Sequence, residues 1–181
     1  MLYPLVSILV GVSLCLALSV PAEKALEISK KYGSNDTKLP MFNDHLSIPK
    51  SPVLKAVTLR GGDTLNGIDL TFTSGKKVTH GGSGGKPTHL DINTGDYIIS
   101  ANLCWETKYG VTRIVYAQLG TALANQIDAG TKSKDSKNCT IVSAPRRNYG
   151  MVGTYGRTTK GGDDSGIAQL GVFWARAQPD N

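Results

Sequence analysis

Three times along this chain a short apolar run leads through a polar, glycine-bearing turn into a second apolar run that closes on an aromatic residue. Val57-Thr58-Leu59 leads to Ile68-Asp69-Leu70-Thr71-Phe72, and Ala101-Asn102-Leu103 leads through Tyr109-Gly110 to Ile114-Val115-Tyr116. Val152-Gly153-Thr154-Tyr155-Gly156 leads to Leu170-Gly171-Val172-Phe173, with the insertion Thr159-Lys160-Gly161-Gly162-Asp163-Asp164 between them. Side chains alternate faces along a strand, so Ile68, Leu70 and Phe72 share one face and Asp69 and Thr71 the other. A lone hairpin buries too little apolar surface to be stable in water. Three similar units therefore predict an all-β domain whose parts pack with pseudo-threefold symmetry around one shared core.

The rest of the chain agrees with this reading. Strands are expected from Leu54, over 96–103, 113–119, 140–143, 149–156 and 169–175, with a hairpin turn at Ser74-Gly75-Lys76-Lys77. Residues 23–31 read as a short helical turn or a loose leader. No stretch of helical period and useful length follows them. At 181 residues the chain is long enough for one domain with a real core and short for two.

Leu2 to Leu18 is an uncharged apolar run, followed by Val20-Pro21-Ala22 as a cleavage signal. Residues 1–22 are read as a secretory signal peptide; the competing reading is a signal anchor, for which the run falls short of the roughly 20 residues that span a bilayer. The expected localisation is secreted and extracellular, with no membrane span after cleavage. Cleavage would remove Cys15 and leave Cys104 and Cys139, read as a disulfide or, alternatively, as two buried thiols. Two cysteines and three scattered histidines give no metal-ligand spacing, so neither metal nor cofactor is expected. Asn35-Asp36-Thr37 and Asn138-Cys139-Thr140 are N-glycosylation acceptor triplets. The net charge of +6 draws a chain toward acidic polysaccharide surfaces, but the lysines are spread from Lys24 to Lys160, which reads more simply as a solvated surface; nucleic acid does not suit this compartment.

The stretch Arg60 to Gly85, RGGDTLNGIDLTFTSGKKVTHGGSGG, is the strongest candidate site. A glycine-aspartate turn opens a strand, and a loop rich in glycine follows. Glycine lets a ligand approach the backbone because no Cβ stands in the way. The alternative is that these glycines only make tight turns.

Gly62-Asp63 through Phe72, His80-Gly81-Gly82-Ser83-Gly84-Gly85, Gly95-Asp96-Tyr97-Ile98, and Gly156-Arg157 followed by Leu170-Gly171-Val172 stand in an order that resembles the jacalin-related lectins. The resemblance covers about Tyr32 to Ala175. It implies a β-prism of three four-stranded Greek-key sheets, with 23–52 as leader and first strands and 32–176 as the lectin domain. It also implies sugar binding between a glycine pair and a facing G-x-x-x-D turn. Here Gly62-Asp63-Thr64-Leu65-Asn66 lies on the turn, with Asn66 in place of the aspartate, and Gly84-Gly85 lies on the glycine pair. An amide keeps one acceptor and adds donors. The family's usual site departs further. Asn35-Asp36-Thr37 stands where its glycine pair falls, and Ala168 where its aspartate falls. Asp163 and Asp164 form a second candidate site there, or simply a solvated loop tip.

No catalytic constellation stands out: there is no G-x-S-x-G, no H-E-x-x-H and no P-loop, and His80 and His89 merely flank the glycine loop. The expected function is a secreted lectin, not an enzyme. It would recognise mannose/glucose-type or cell-wall glycans through a shallow metal-independent site, with oligomers or repeated glycans supplying avidity. The alternative is a secreted interaction protein on the same scaffold that binds anionic polysaccharide or a protein partner without sugar specificity.

Overall fold

The computed structural model describes residues 25–132, 136–161 and 165–177. The expected signal peptide and the acids Asp163 and Asp164 lie outside them. Thirteen strands run in chain order: β1 (Glu27–Ile28), β2 (Tyr32–Gly33), β3 (Met41–Asn43), β4 (Leu54–Gly61), β5 (Leu65–Phe72), β6 (Lys77–Gly81), β7 (Lys86–Asp91), β8 (Ile98–Lys108), β9 (Val111–Thr121), β10 (Gln126–Gly130), β11 (Cys139–Ser143), β12 (Tyr149–Thr158) and β13 (Ile167–Arg176). The one helical element among the described residues is a single 3-10 turn, Ser136–Asn138.

These strands form three antiparallel sheets, ordered β6-β5-β4-β7, β10-β9-β8-β11 and β1-β13-β12-β3. In the first two, the fourth strand in sequence returns to lie beside the first, which is the Greek key. The third has the same pattern but is built from both ends of the chain. Its outer position is shared by β1 and β2, which pair with opposite ends of β13. Each sheet is thus four strands wide, as the resemblance implies. The central hairpins β4–β5, β8–β9 and β12–β13 are the three repeated units of the sequence.

One core joins the sheets. Leu59, Ile68, Leu70 and Phe72 from the first meet Leu103, Ile114 and Leu119 from the second, and Leu170, Val172 and Trp174 from the third. β13 is buried on both faces: its outer residues Phe173 and Ala175 pack with Val152 under Leu26 and Ile48. That is why Leu170 to Ala175 is a nearly continuous apolar run, although the strand is antiparallel. Cys104 and Cys139 form a disulfide joining β8 to the edge strand β11 at directly paired positions.

Two expectations change. Residues 25–31 are extended, not helical, because β13 needs a neighbour: Ser29 N donates to Val172 O at 3.0 Å, and Val172 N to Ser29 Oγ at 2.9 Å. Strand β6 follows the expected hairpin turn at 74–77, and β7 and β10 also appear where no strand was expected. Each is an outer strand, with few apolar residues and, in β7, Pro87. Such composition suits an edge and blurs the alternating signal.

Candidate carbohydrate site

The two glycine-bearing turns meet at one end of the first sheet. β4 pairs with both β5 and β7, so Gly61 lies opposite Leu65 on one side and Lys86 on the other. The β4–β5 turn is closed by Gly62 N donating to Thr64 O at 3.1 Å. The β6–β7 turn is tied to it by Gly82 N donating to Asn66 O at 2.9 Å. Gly85 has φ +83°, and a Cβ there would lie 2.9 Å from the Gly61 carbonyl carbon. The turns are this close because one of them has no side chain at the contact.

Partly buried ionic contacts hold the glycine turn. Arg60 donates to both carboxylate oxygens of Asp69 at 2.7 Å, and its Nε donates to Gly82 O at 3.1 Å. Lys77 Nζ adds a contact to Asp69 at 3.0 Å. Burial pushes the Asp69 carboxyl up, but hydrogen bonds from Arg60, Lys77 and Thr79 outweigh it and hold the pKa at about 2. At the end of β6, His80 Nε2 lies 2.5 Å from Oδ1 of buried Asp44, whose Oδ2 accepts from Thr154 N and Oγ1. Phe42 stacks on the His80 ring with centroids 4.1 Å apart. His80 therefore joins the first sheet to the third, a structural task that needs no catalytic role.

Above these supports lies an open cleft of about 460 Å³ lined by Gly62, Asp63, Thr64, Asn66, Gly85, Tyr109 and Arg113. Five of the seven expected carbohydrate-site residues share it. Leu65 lies outside the lining: its side chain is wholly buried in the core, which leaves its backbone as the part on the side of the turn. Gly84 is half-buried beside the cleft and is not among the lining residues. Sequence reasoning missed the other wall, Tyr109 and Arg113, which come from the neighbouring β8–β9 hairpin. Tyr109 (φ +53°) and Gly110 (φ +76°) are the two central residues of that hairpin's turn, a primed turn. It aims the exposed Tyr109 ring across the cleft, with its hydroxyl 3.3 Å from Asp63 Oδ2. A tyrosine in a position that favours glycine or asparagine was the available signal.

A larger cleft, about 580 Å³, lies between the second and third sheets. Its walls include Gly33 to Asp36, Trp105 and Asn138, so both acceptor asparagines, Asn35 and Asn138, border one space. Trp105 stacks on Tyr32 there at 5.5 Å, whereas Trp174 is buried in the core. Among the described residues no group of three His, Cys, Asp or Glu is placed to hold a metal ion. No helix among them is long and apolar enough to cross a membrane.

A model of the Jacalin-like lectin domain matches residues 27–173. The chain belongs to the jacalin-like lectin family. Solved structures share the lectin's fold. AcmJRL, a mannose-binding jacalin-related lectin from Ananas comosus, has a TM-score of 0.62 at 16% identity, covering 82% of this chain and 96% of its own. Wild-type Malaysian banana lectin has a TM-score of 0.60 at 22% identity, covering 86% and 100%. A mannose-specific jacalin-related lectin from Morus nigra, in complex with mannose, has a TM-score of 0.64 at 13% identity, covering 82% and 94%. Among curated proteins no sequence relative matches. Jacalin-like lectins bind carbohydrate and are not enzymes. In this lectin the family's usual loops do meet, since a Cβ on Gly33 would strike Ala168 O at 2.3 Å. Yet Ala168 is fully buried, and Gln169 Nε2 donates to Ser34 O at 2.6 Å where sugar contacts would be needed.

Proposed function

We propose that this jacalin-like lectin acts outside the cell and binds mannose/glucose-type glycans in the cleft over the β4–β5 and β6–β7 turns. The observation that carries the reading is the apposition of Gly85 with Gly61 beneath a rim bearing the Asp63 carboxylate and the Asn66 amide. A saccharide hydroxyl both donates and accepts. Asp63 supplies acceptors only, and Asn66 supplies both roles. Gly62 is exposed, with open space where a Cβ would stand, so a sugar ring can approach the backbone there. The mannose binding of the Ananas comosus and Morus nigra lectins supports the choice of sugar. The Cys104–Cys139 disulfide and the apolar stretch from Leu2 support secretion.

Affinity per site should be modest, because each exposed hydroxyl contact nets only about 1 kcal/mol against water. Titration calorimetry with mannose and glucose oligosaccharides tests this. Asn66→Ala and Asp63→Ala are each expected to weaken binding about five- to tenfold at unchanged melting temperature. Neutral-glycan binding unaltered in both variants would move the site elsewhere. Binding seen only with charged glycans and abolished by salt would favour a charge-driven interaction protein.

A further inference from the structure

Among the described residues, Arg113 is a buried charge with no carboxylate partner. It stands on β9 with only 8% of its surface exposed, and it lines the cleft. Its Nε is enclosed and has no hydrogen-bond partner. Its guanidinium carbon lies 5.3 Å from the centre of the Tyr109 ring, and no carboxylate among the described residues forms an ion pair with it. Arg60, by contrast, is neutralised by both oxygens of Asp69. A guanidinium this enclosed, with an aromatic face as its main described partner, gains from an anion that reaches its Nη atoms from the cleft. The one acid among the described lining residues, Asp63, forms no ion pair with Arg113 and accepts instead from the Tyr109 hydroxyl at 3.3 Å. Tyr109 thus separates an acceptor-rich rim at Asp63 and Asn66 from a cationic wall at Arg113.

We propose that Arg113 receives an oxyanion carried on the sugar, a uronate carboxylate or a sulfate ester, so that the cleft prefers acidic over neutral saccharides. The neutral hydroxyls of the same ring face the Asp63 side. The planar fork of arginine suits such groups, to which it donates two parallel N–H···O bonds, and the Tyr109 ring lies beside the guanidinium at 5.3 Å. This rests on reading the cleft as the saccharide site and adds the class of saccharide. It differs from attraction by the overall basic charge, because it assigns the preference to one side chain.

The test uses the full lectin and three disaccharides of one backbone: neutral, uronate-bearing and sulfated. Calorimetry at moderate salt gives the ratio of neutral to acidic Kd. The wild-type ratio is expected to be about tenfold or more in at least one charged arm, the arm naming which oxyanion is taken. Arg113→Met should collapse that ratio to about one, and Arg113→Lys should leave it intermediate, because a point charge lacks the fork. Melting curves check that both variants fold; methionine fills similar volume and removes the enclosed donor. A wild type that binds the neutral sugar without preferring either acid overturns this inference alone. A wild type that binds none of the three overturns it together with the reading of the cleft. A preference that persists undiminished in Arg113→Met also overturns it, and returns the effect to the general surface charge.

Discussion

At the scale of single residues, the supports of the glycine turn matter as much as its rim. Asp69 is buried beneath the turn, and its pKa of about 2 lies below the ordinary value of 3.8. A lowered carboxylate pKa means that the unfolded chain takes up the proton first. The stability this group contributes is therefore fully present above about pH 4 and is lost as pH falls toward 2. The contribution is about 2 kcal/mol. Melting temperatures measured from pH 6 to pH 2 are expected to fall less steeply in Asp69→Asn than in the wild type, although the variant starts lower. Arg60→Ala removes the main partner of Asp69 and frees Gly82 O. It should cost about 3 kcal/mol in chemical denaturation and weaken glycan binding as well, since the turn loses its anchor. Gly85→Val is a sharper probe of the site. Its Cβ would press on the Gly61 backbone at a φ that β-branched residues avoid, so binding should be lost well before the fold is.

At the scale of elements, two of the outer strands carry different devices at their edges. β7 is capped by Pro87 and exposed lysine, and β11 is short and bound covalently to β8 through Cys104–Cys139. The bridge closes a loop with a sequence separation of 35, for which chain entropy gives roughly 3–4 kcal/mol. Cys104→Ser with Cys139→Ser should lower the denaturation free energy by about that amount. Glycan binding below the new melting temperature should persist, because the cleft draws no residue from β11. The contrast in how well the elements could be read from the chain follows the same logic. β4, β5, β9 and β13 carry apolar residues that must face the core, and their runs are plain in the sequence. β1, β2, β6, β7 and β10 hold their places by backbone pairing with a stronger neighbour, and backbone pairing leaves little trace in side-chain type.

For the whole molecule, the third sheet has a consequence of its own. β1 runs antiparallel to β13 with Glu27 opposite Trp174, so the described ends of the chain lie side by side. The break in the chain falls at one of three equivalent places in a threefold arrangement. A circular permutant joining residue 177 to residue 25 by a short Gly-Ser linker, and opened at Thr94–Gly95 between the first two sheets, is expected to fold and bind as before. Deletion through residue 33 should do the opposite, because it strips β1 and β2 from β13 and uncovers Phe173. Loss of a cooperative melting transition in the deletion, with retention in the permutant, would separate the two effects. A permutant that fails to fold would show that the sheets are not interchangeable in assembly.

The repeated hairpins, the all-β class, the family and one half of the cleft follow from the amino-acid order, because core faces and glycine turns are local needs written into neighbouring residues. Gly62, Asp63, Thr64, Asn66 and Gly85 were legible for that reason. What joins them to Tyr109 and Arg113 was not, since those stand on another sheet, and only the packing of one sheet against the next brings them to the same opening. The burial that leaves Arg113 without a charge partner among the described residues, and the burial of the Leu65 side chain, are likewise products of three-dimensional packing. Solvent exclusion is a property of the assembled prism, and no run of neighbouring residues encodes it.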